Sequence, residues 1–146
     1  MFETAPIILD AAPAKARVAD VMHWGLIYCT PETSLRAVAA LMSVERVHCV
    51  VVAENPLAAG SLWGVVSDLD LVAASTVRAL DDQHAGGTAM KPAVTVAPHE
   101  TLEEAARRMT EHSAPHLVVI DVVEQRPLGL LSTLDVAGAL SDGTGR

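Results

Sequence analysis

The chain repeats itself, and this constrains the fold more than any other feature. Pro31-Glu32-Thr33-Ser34-Leu35 returns as Pro98-His99-Glu100-Thr101-Leu102, an offset of 67 (31 to 98). At the same offset Ala39 answers Ala106, Met42 answers Met109, and the apolar run 50–52 answers 117–119. Gly64-Val65-Val66-Ser67-Asp68-Leu69-Asp70 answers Gly129-Leu130-Leu131-Ser132-Thr133-Leu134-Asp135 at an offset of 65 (67 to 132). The two residues of difference fall between these blocks, where a loop can absorb them. A fixed period of this length means one supersecondary unit used twice.

Each copy reads as strand, helix, strand, strand, helix. In the first, the apolar run 26–29 stops at Thr30-Pro31, and Thr33 or Ser34 caps a helix on which Leu35, Val38, Ala39 and Met42 recur at helical spacing. The β-branched run 47–53 is a buried strand, 54–60 a turn with Asn55-Pro56 and Gly60, and 62–66 the returning strand. Ser67 or Asp68 then caps a helix that runs to about Leu80. In the second copy the strand 93–96 precedes a helix capped by Thr101 and reaching about His112. A hairpin of 116–122 and 128–131 follows, and then a helix over 133–140. The expected division is an extension at 1–16, repeat 1 at 17–80, a plain linker at 81–88, repeat 2 at 89–141 and a tail at 142–146. One β-α-β-β-α unit has too few strands to bury both faces of its sheet. Two units packed through their sheets with pseudo-two-fold symmetry can do so, and the expected class is α/β in the α+β sense.

Composition narrows the partners. Lys and Arg number 10 against 18 Asp and Glu, a formal charge of -8. Phosphate backbones need clustered cations, so nucleic acid is not the expected partner. No basic run suits an anionic membrane surface, and no apolar run approaches the roughly 20 residues that span a bilayer. Residues 1–10 carry no basic residue before their apolar stretch and make a poor signal peptide, so a cytoplasmic location is expected. Cys29 and Cys49 lie in apolar strand-like runs and read as reduced, buried thiols. The six histidines, His23, His48, His84, His99, His112 and His116, have no metal-binding spacing and read as surface or loop residues, so no metal is expected.

The paired Gly-x-x-Ser-x-x-Asp blocks carry the chemistry. Each stands where an apolar strand gives way to a helix, whose free N–H groups and positive dipole end suit a phosphate. Ser67 and Ser132 place a hydroxyl there. Asp70 and Asp135, three residues on, can accept both hydroxyls of a ribose, as acidic residues do in other nucleotide folds. The same spacing is also a capping box, in which the serine caps and the acid reaches back. Taken alone, these residues leave both readings open.

The order of elements, the two-fold repeat and the Gly-x-x-Ser-x-x-Asp blocks resemble the CBS-domain family over about 18–140. Ala19-Asp20-Val21-Met22 and Ala89-Met90-Lys91-Pro92 before the first strands are similar to the family, as is the run 114–121. The resemblance implies that each site joins the Ser-x-x-Asp of one repeat to the first strand of the other, with the adenine among apolar side chains and paired to strand backbone. One implied site holds Ser67 and Asp70 with Ala93 and Val94, with Lys91 nearby. The other holds Ser132 and Asp135 with Ile27, Tyr28 and Cys29. Arg46 and His112 fall where basic residues meet phosphate in some members. His48 stands where the second repeat has Pro115, and Leu69 and Leu134 stand where some members carry a second hydroxyl.

The implied function is a regulatory module that binds AMP, ADP, ATP or S-adenosylmethionine, has no cofactor, forms a homodimer and modulates a separate, unknown protein. The alternative is a ligand-free scaffold or dimerisation module. An enzyme is the weakest reading, because neither a nucleophile elbow nor a Gly-rich phosphate loop is present. Few cations and a net charge of -8 favour short phosphate chains over ATP when divalent metal is absent.

Overall fold

The computed structural model of the chain describes residues 16–143. The extension read over 1–16 lies outside the described residues except for Ala16. The tail lies outside them except for the backbone of 142–143.

The elements in chain order are α1 (Val18–Val21), β1 (His23–Trp24), β2 (Tyr28–Cys29), α2 (Leu35–Glu45), β3 (Cys49–Ala53), β4 (Leu62–Ser67) and α3 (Asp68–Ser75). A 3-10 turn (Leu80–Asp82) precedes α4 (Ala85–Thr88), β5 (Thr95–Val96), α5 (Leu102–Glu111), β6 (His116–Asp121), β7 (Arg126–Ser132) and α6 (Thr133–Gly143). The class is mixed α and β, with two sheets, ordered β1-β7-β6-β5 and β2-β3-β4. Ser34 caps α2 by accepting from Ala37 N, and Thr101 caps α5 by accepting from Glu104 N, so the repeated cap residues act alike.

Two helical stretches depart from the sequence reading. The helix begun at Ser67 ends at Ser75 rather than near Leu80, because Ser75 and Thr76 turn their hydroxyls back onto the carbonyls of Val72 and Ala73. Such local bonds compete with helix continuation. Gln83 Nε2 then takes the carbonyls of Ala74 and Arg78. The stretch 81–88 has more form than a linker: it contains α4, and Ala85 and Gly86 are buried.

The compact units do not coincide with the sequence repeats. Among the described residues, one unit comprises 16–25, 94–121 and 128–143, and the other comprises 26–93 and 122–127. The ten residues before each repeat's first strand thus fold with the other repeat. The bonds that hold them are reciprocal. Val18 N donates to Glu100 O and Ala19 N to Pro98 O, just as Ala85 N donates to Thr33 O and Gly86 N to Pro31 O. Leu102 N donates to Ala16 O as Leu35 N does to Gln83 O. Each residue of one set stands 67 from its counterpart in the other (18 to 85, 33 to 100, 16 to 83). His23 pairs antiparallel with Leu130, and its counterpart Met90 bridges Val65.

The cores repeat in the same way. Val18, Met22, Val96, Leu102, Ala105, Met109, Leu117, Val119 and Leu131 form one cluster. Ala85, Ala89, Cys29, Leu35, Val38, Met42, Val50, Val52 and Val66, in the same order, form the other. Each Leu or Val buried in this way stabilises by about 1.5–3 kcal/mol before chain entropy is subtracted.

Candidate ligand-binding site

In the 26–93 unit, β3 runs antiparallel to β4 and brings Cys49 opposite Ser67, where β4 gives way to α3. Ser67 Oγ accepts from Asp70 N at 3.1 Å, and Asp70 Oδ2 accepts from Ser67 N at 2.8 Å. This is a complete capping box. Asp70 has no other hydrogen bond among the described residues, which leaves Oδ1 as an unused acceptor on a half-buried side chain. Beside it, Asp68 N donates to the His48 carbonyl, and the His48 ring meets Asp68 Oδ2 at 2.8 Å. Burial pushes the Cys49 thiol up to about 12, and the charges of Asp70 and Asp68 add to the effect. The floor of this helix start is therefore an uncharged thiol.

The other unit repeats the arrangement. Ser132 Oγ accepts from Asp135 N at 3.1 Å, Asp135 Oδ2 accepts from Ser132 N at 2.8 Å, and Thr133 N donates to Pro115 O. Here Asp135 Oδ1 has a partner as well, the His23 ring at 2.9 Å.

The other residues named from the sequence fall as follows. Lys91 and Ala93 share a unit with Ser67 and Asp70, while Val94 belongs to the other. The Lys91 ammonium lies 4.6 Å from the centroid of Trp63, whose indole N–H donates to Gly86 O. Ser132 and Asp135 share a unit with His112, while Ile27, Tyr28, Cys29 and Arg46 belong to the other. The Ile27 carbonyl accepts from Val51 N and the Val94 carbonyl from Val118 N, so these two strand carbonyls already serve their own sheets. Arg46 closes α2 in the left-handed region at φ 57, and its counterpart at the offset of 67 is Ser113, at φ 51. His112, one residue earlier, is exposed at the end of α5.

Sequence reasoning missed His23. It lies 112 residues from Asp135, in a segment that reads as the lead-in to the first repeat. Its one available signal was its equivalence with Met90, which says nothing about the partner until the exchange of segments is known. Among the described residues no three His, Cys, Asp or Glu side chains converge as a metal site. No helix there is long and apolar enough to cross a membrane.

A family model described as CBS domain matches residues 18–76 and again 87–142. Among solved structures, CBSX2 in complex with AMP is 25% identical with a TM-score of 0.73, covering 90% of this chain and 99% of that one. The CBS domain pair of protein MJ0100, in complex with 5'-methylthioadenosine and S-adenosyl-L-methionine, is 15% identical with a TM-score of 0.76, covering 86% and 96%. The CBS domain of the bacterial CNNM/CorC family Mg2+ transporter, in complex with ATP, is 17% identical with a TM-score of 0.74, covering 88% and 89%. No curated protein matches the sequence. The likenesses at 15% and 17% identity are of fold alone.

Proposed function

This chain belongs to the CBS-domain family, and from that premise we propose that it is a regulatory module. It binds an adenine nucleotide or a related adenosyl ligand at its two Ser-x-x-Asp helix starts and modulates another protein. The observation that carries this reading is the free Oδ1 of Asp70, held beside a complete capping box at the end of β4. The box satisfies the helix and fixes the carboxylate, and the remaining oxygen is an acceptor poised for a sugar hydroxyl. Ligands named for proteins of this fold are AMP, ATP, 5'-methylthioadenosine and S-adenosyl-L-methionine, which share the adenosyl group. Ser67, Asp70, Ala93 and Lys91 belong to one proposed site, and Ser132 and Asp135 to the other. Arg46 and His112 are the proposed phosphate contacts. The module is a binder rather than an enzyme.

Thermal melting with AMP, ADP, ATP and S-adenosylmethionine tests the reading. A ligand specific for the folded chain at 100 times its Kd adds about 2.7 kcal/mol, a rise of several degrees in Tm. Asp70→Ala and Asp135→Ala should each weaken binding at their own site by roughly 1.5–3 kcal/mol, the worth of a hydrogen bond to a charged group. Flat curves with all four ligands would favour a dimerisation module instead. The specific support for that second reading is the exposure of Leu69 and Val72 on α3 and of Leu134 and Leu140 on α6.

A further inference from the structure

The two helix starts that the repeat makes equivalent are chemically unequal. Both oxygens of Asp135 are engaged, Oδ2 by the backbone N–H of Ser132 and Oδ1 by the His23 ring at 2.9 Å. Asp70 has the matching box bond and nothing on its second oxygen among the described residues. A single position accounts for the difference. Residues 23 and 90 are equivalent at the offset of 67, and each lies antiparallel to the last strand of its unit, His23 against Leu130 and Met90 against Val65. An imidazole can donate to a carboxylate, and a thioether cannot.

We propose that His23 is an internal competitor for Asp135. Its ring occupies the oxygen that a ligand diol would need, so the two sites are graded. The Asp70 site fills first, and the Asp135 site fills only as the ligand displaces the ring. This inference rests on the reading of Asp70 and Asp135 as ribose acceptors, and it adds an order of filling to that reading. The geometry suits displacement. The Asp135 side chain is 11% exposed and is held in place by its box, whereas the His23 side chain is 78% exposed and can swing into water. Such a solvent-facing pair is weak, worth about two- to fivefold in an equilibrium constant. That is enough to separate two otherwise similar sites and too little to close one.

Calorimetric titration of the full chain with AMP, and in parallel with S-adenosyl-L-methionine, tests the proposal. Two classes of site are expected, and D135A should retain the tighter one. In a D70A background, H23A and H23M should tighten the remaining site by about two- to fivefold. In a D135A background, M90H places the competitor beside Asp70 and should weaken the remaining site by a similar factor. If loss of the helix box in D70A or D135A prevents folding, H23A and M90H in the wild-type background carry the test, since neither residue belongs to a box. In that background the gap between the two classes should close in H23A. H23A that binds with the same two affinities as wild type overturns the competitor and leaves the adenosyl-binding reading standing. No binding of either ligand by wild type or H23A overturns both.

Discussion

Cys49 shows how one residue ties stability to the helix start. Its side chain is 2% exposed, and its thiol is pushed up to about 12 from an ordinary 9.0 by burial first, then by Asp70 and Asp68. The unfolded chain therefore loses this proton before the folded one does. The stabilisation is fully present below pH 9 and drains away as pH rises from there towards 12. Cys29 is raised as well, by burial, partly offset by its hydrogen bond with Thr33, so it acts with the same sign. Urea midpoints measured from pH 8 upward should fall beyond pH 9, and the fall should be shallower in Cys49→Ala. Parallel curves for the two proteins would remove Cys49 as a cause. Both cysteines are buried, as the sequence implied, and the register keeps them apart. Cys29 lies opposite Val52, three residues along β3 from Cys49, which separates the two by about 10 Å, beyond the roughly 7 Å a disulfide can bridge.

At the level of elements, the exchanged lead-in segments account for the first residue of each Gly-x-x-Ser-x-x-Asp block. A Cβ on Gly64 would stand 2.3 Å from the Met90 carbonyl oxygen, and one on Gly129 would stand 2.0 Å from that of His23. Both obstacles are backbone, so neither can turn aside. The glycines are there to admit a neighbouring chain segment. Gly64→Ala and Gly129→Ala should each destabilise by about 1–3 kcal/mol, a drop of several degrees in Tm. Gly138→Ala, on α6 with nothing within 4 Å of its added Cβ, should go the other way by up to about 1 kcal/mol. Equal melting points for Gly129→Ala and Gly138→Ala would refute the close approach. The elements themselves were legible because their signals are local: Ser34 and Thr101 cap, Val50 to Val52 alternate into two buried faces, and Asn55-Pro56 turns. The end of α3 was not legible, because hydroxyl bonds from Ser75 and Thr76 stop a helix that apolar spacing would have continued.

For the whole molecule, apolar surface is left on equivalent helices. Leu69 on α3 is 72% exposed and its counterpart Leu134 on α6 is 77% exposed, with Val72 and Leu140 further along the same two helices. Large apolar side chains exposed on both helices, one pair of them at equivalent positions, suit a self-complementary contact. A homodimer is the expected state. Light scattering at micromolar concentration should give about twice the monomer mass, and Leu69→Glu together with Leu134→Glu should return it to the monomer. A wild-type mass of 15.3 kDa would refute the dimer.

The sequence by itself determined that the chain is a duplicated strand-helix-strand-strand-helix unit, that a buried strand lies within 47–53, that the stripe Leu35, Val38 and Met42 is buried, and that both Ser-x-x-Asp blocks start helices. These follow from periodicity, caps and turns, which act over a few residues and leave their mark on neighbours in the chain. Tertiary structure alone decided that residues 16–25 fold with the second repeat and the segment before residue 94 with the first. It also decided that His23 meets Asp135 while Met90 leaves Asp70 free. A strand edge accepts any backbone of suitable register, and main-chain pairing carries no side-chain signature that would reveal, 112 residues away, which segment arrives.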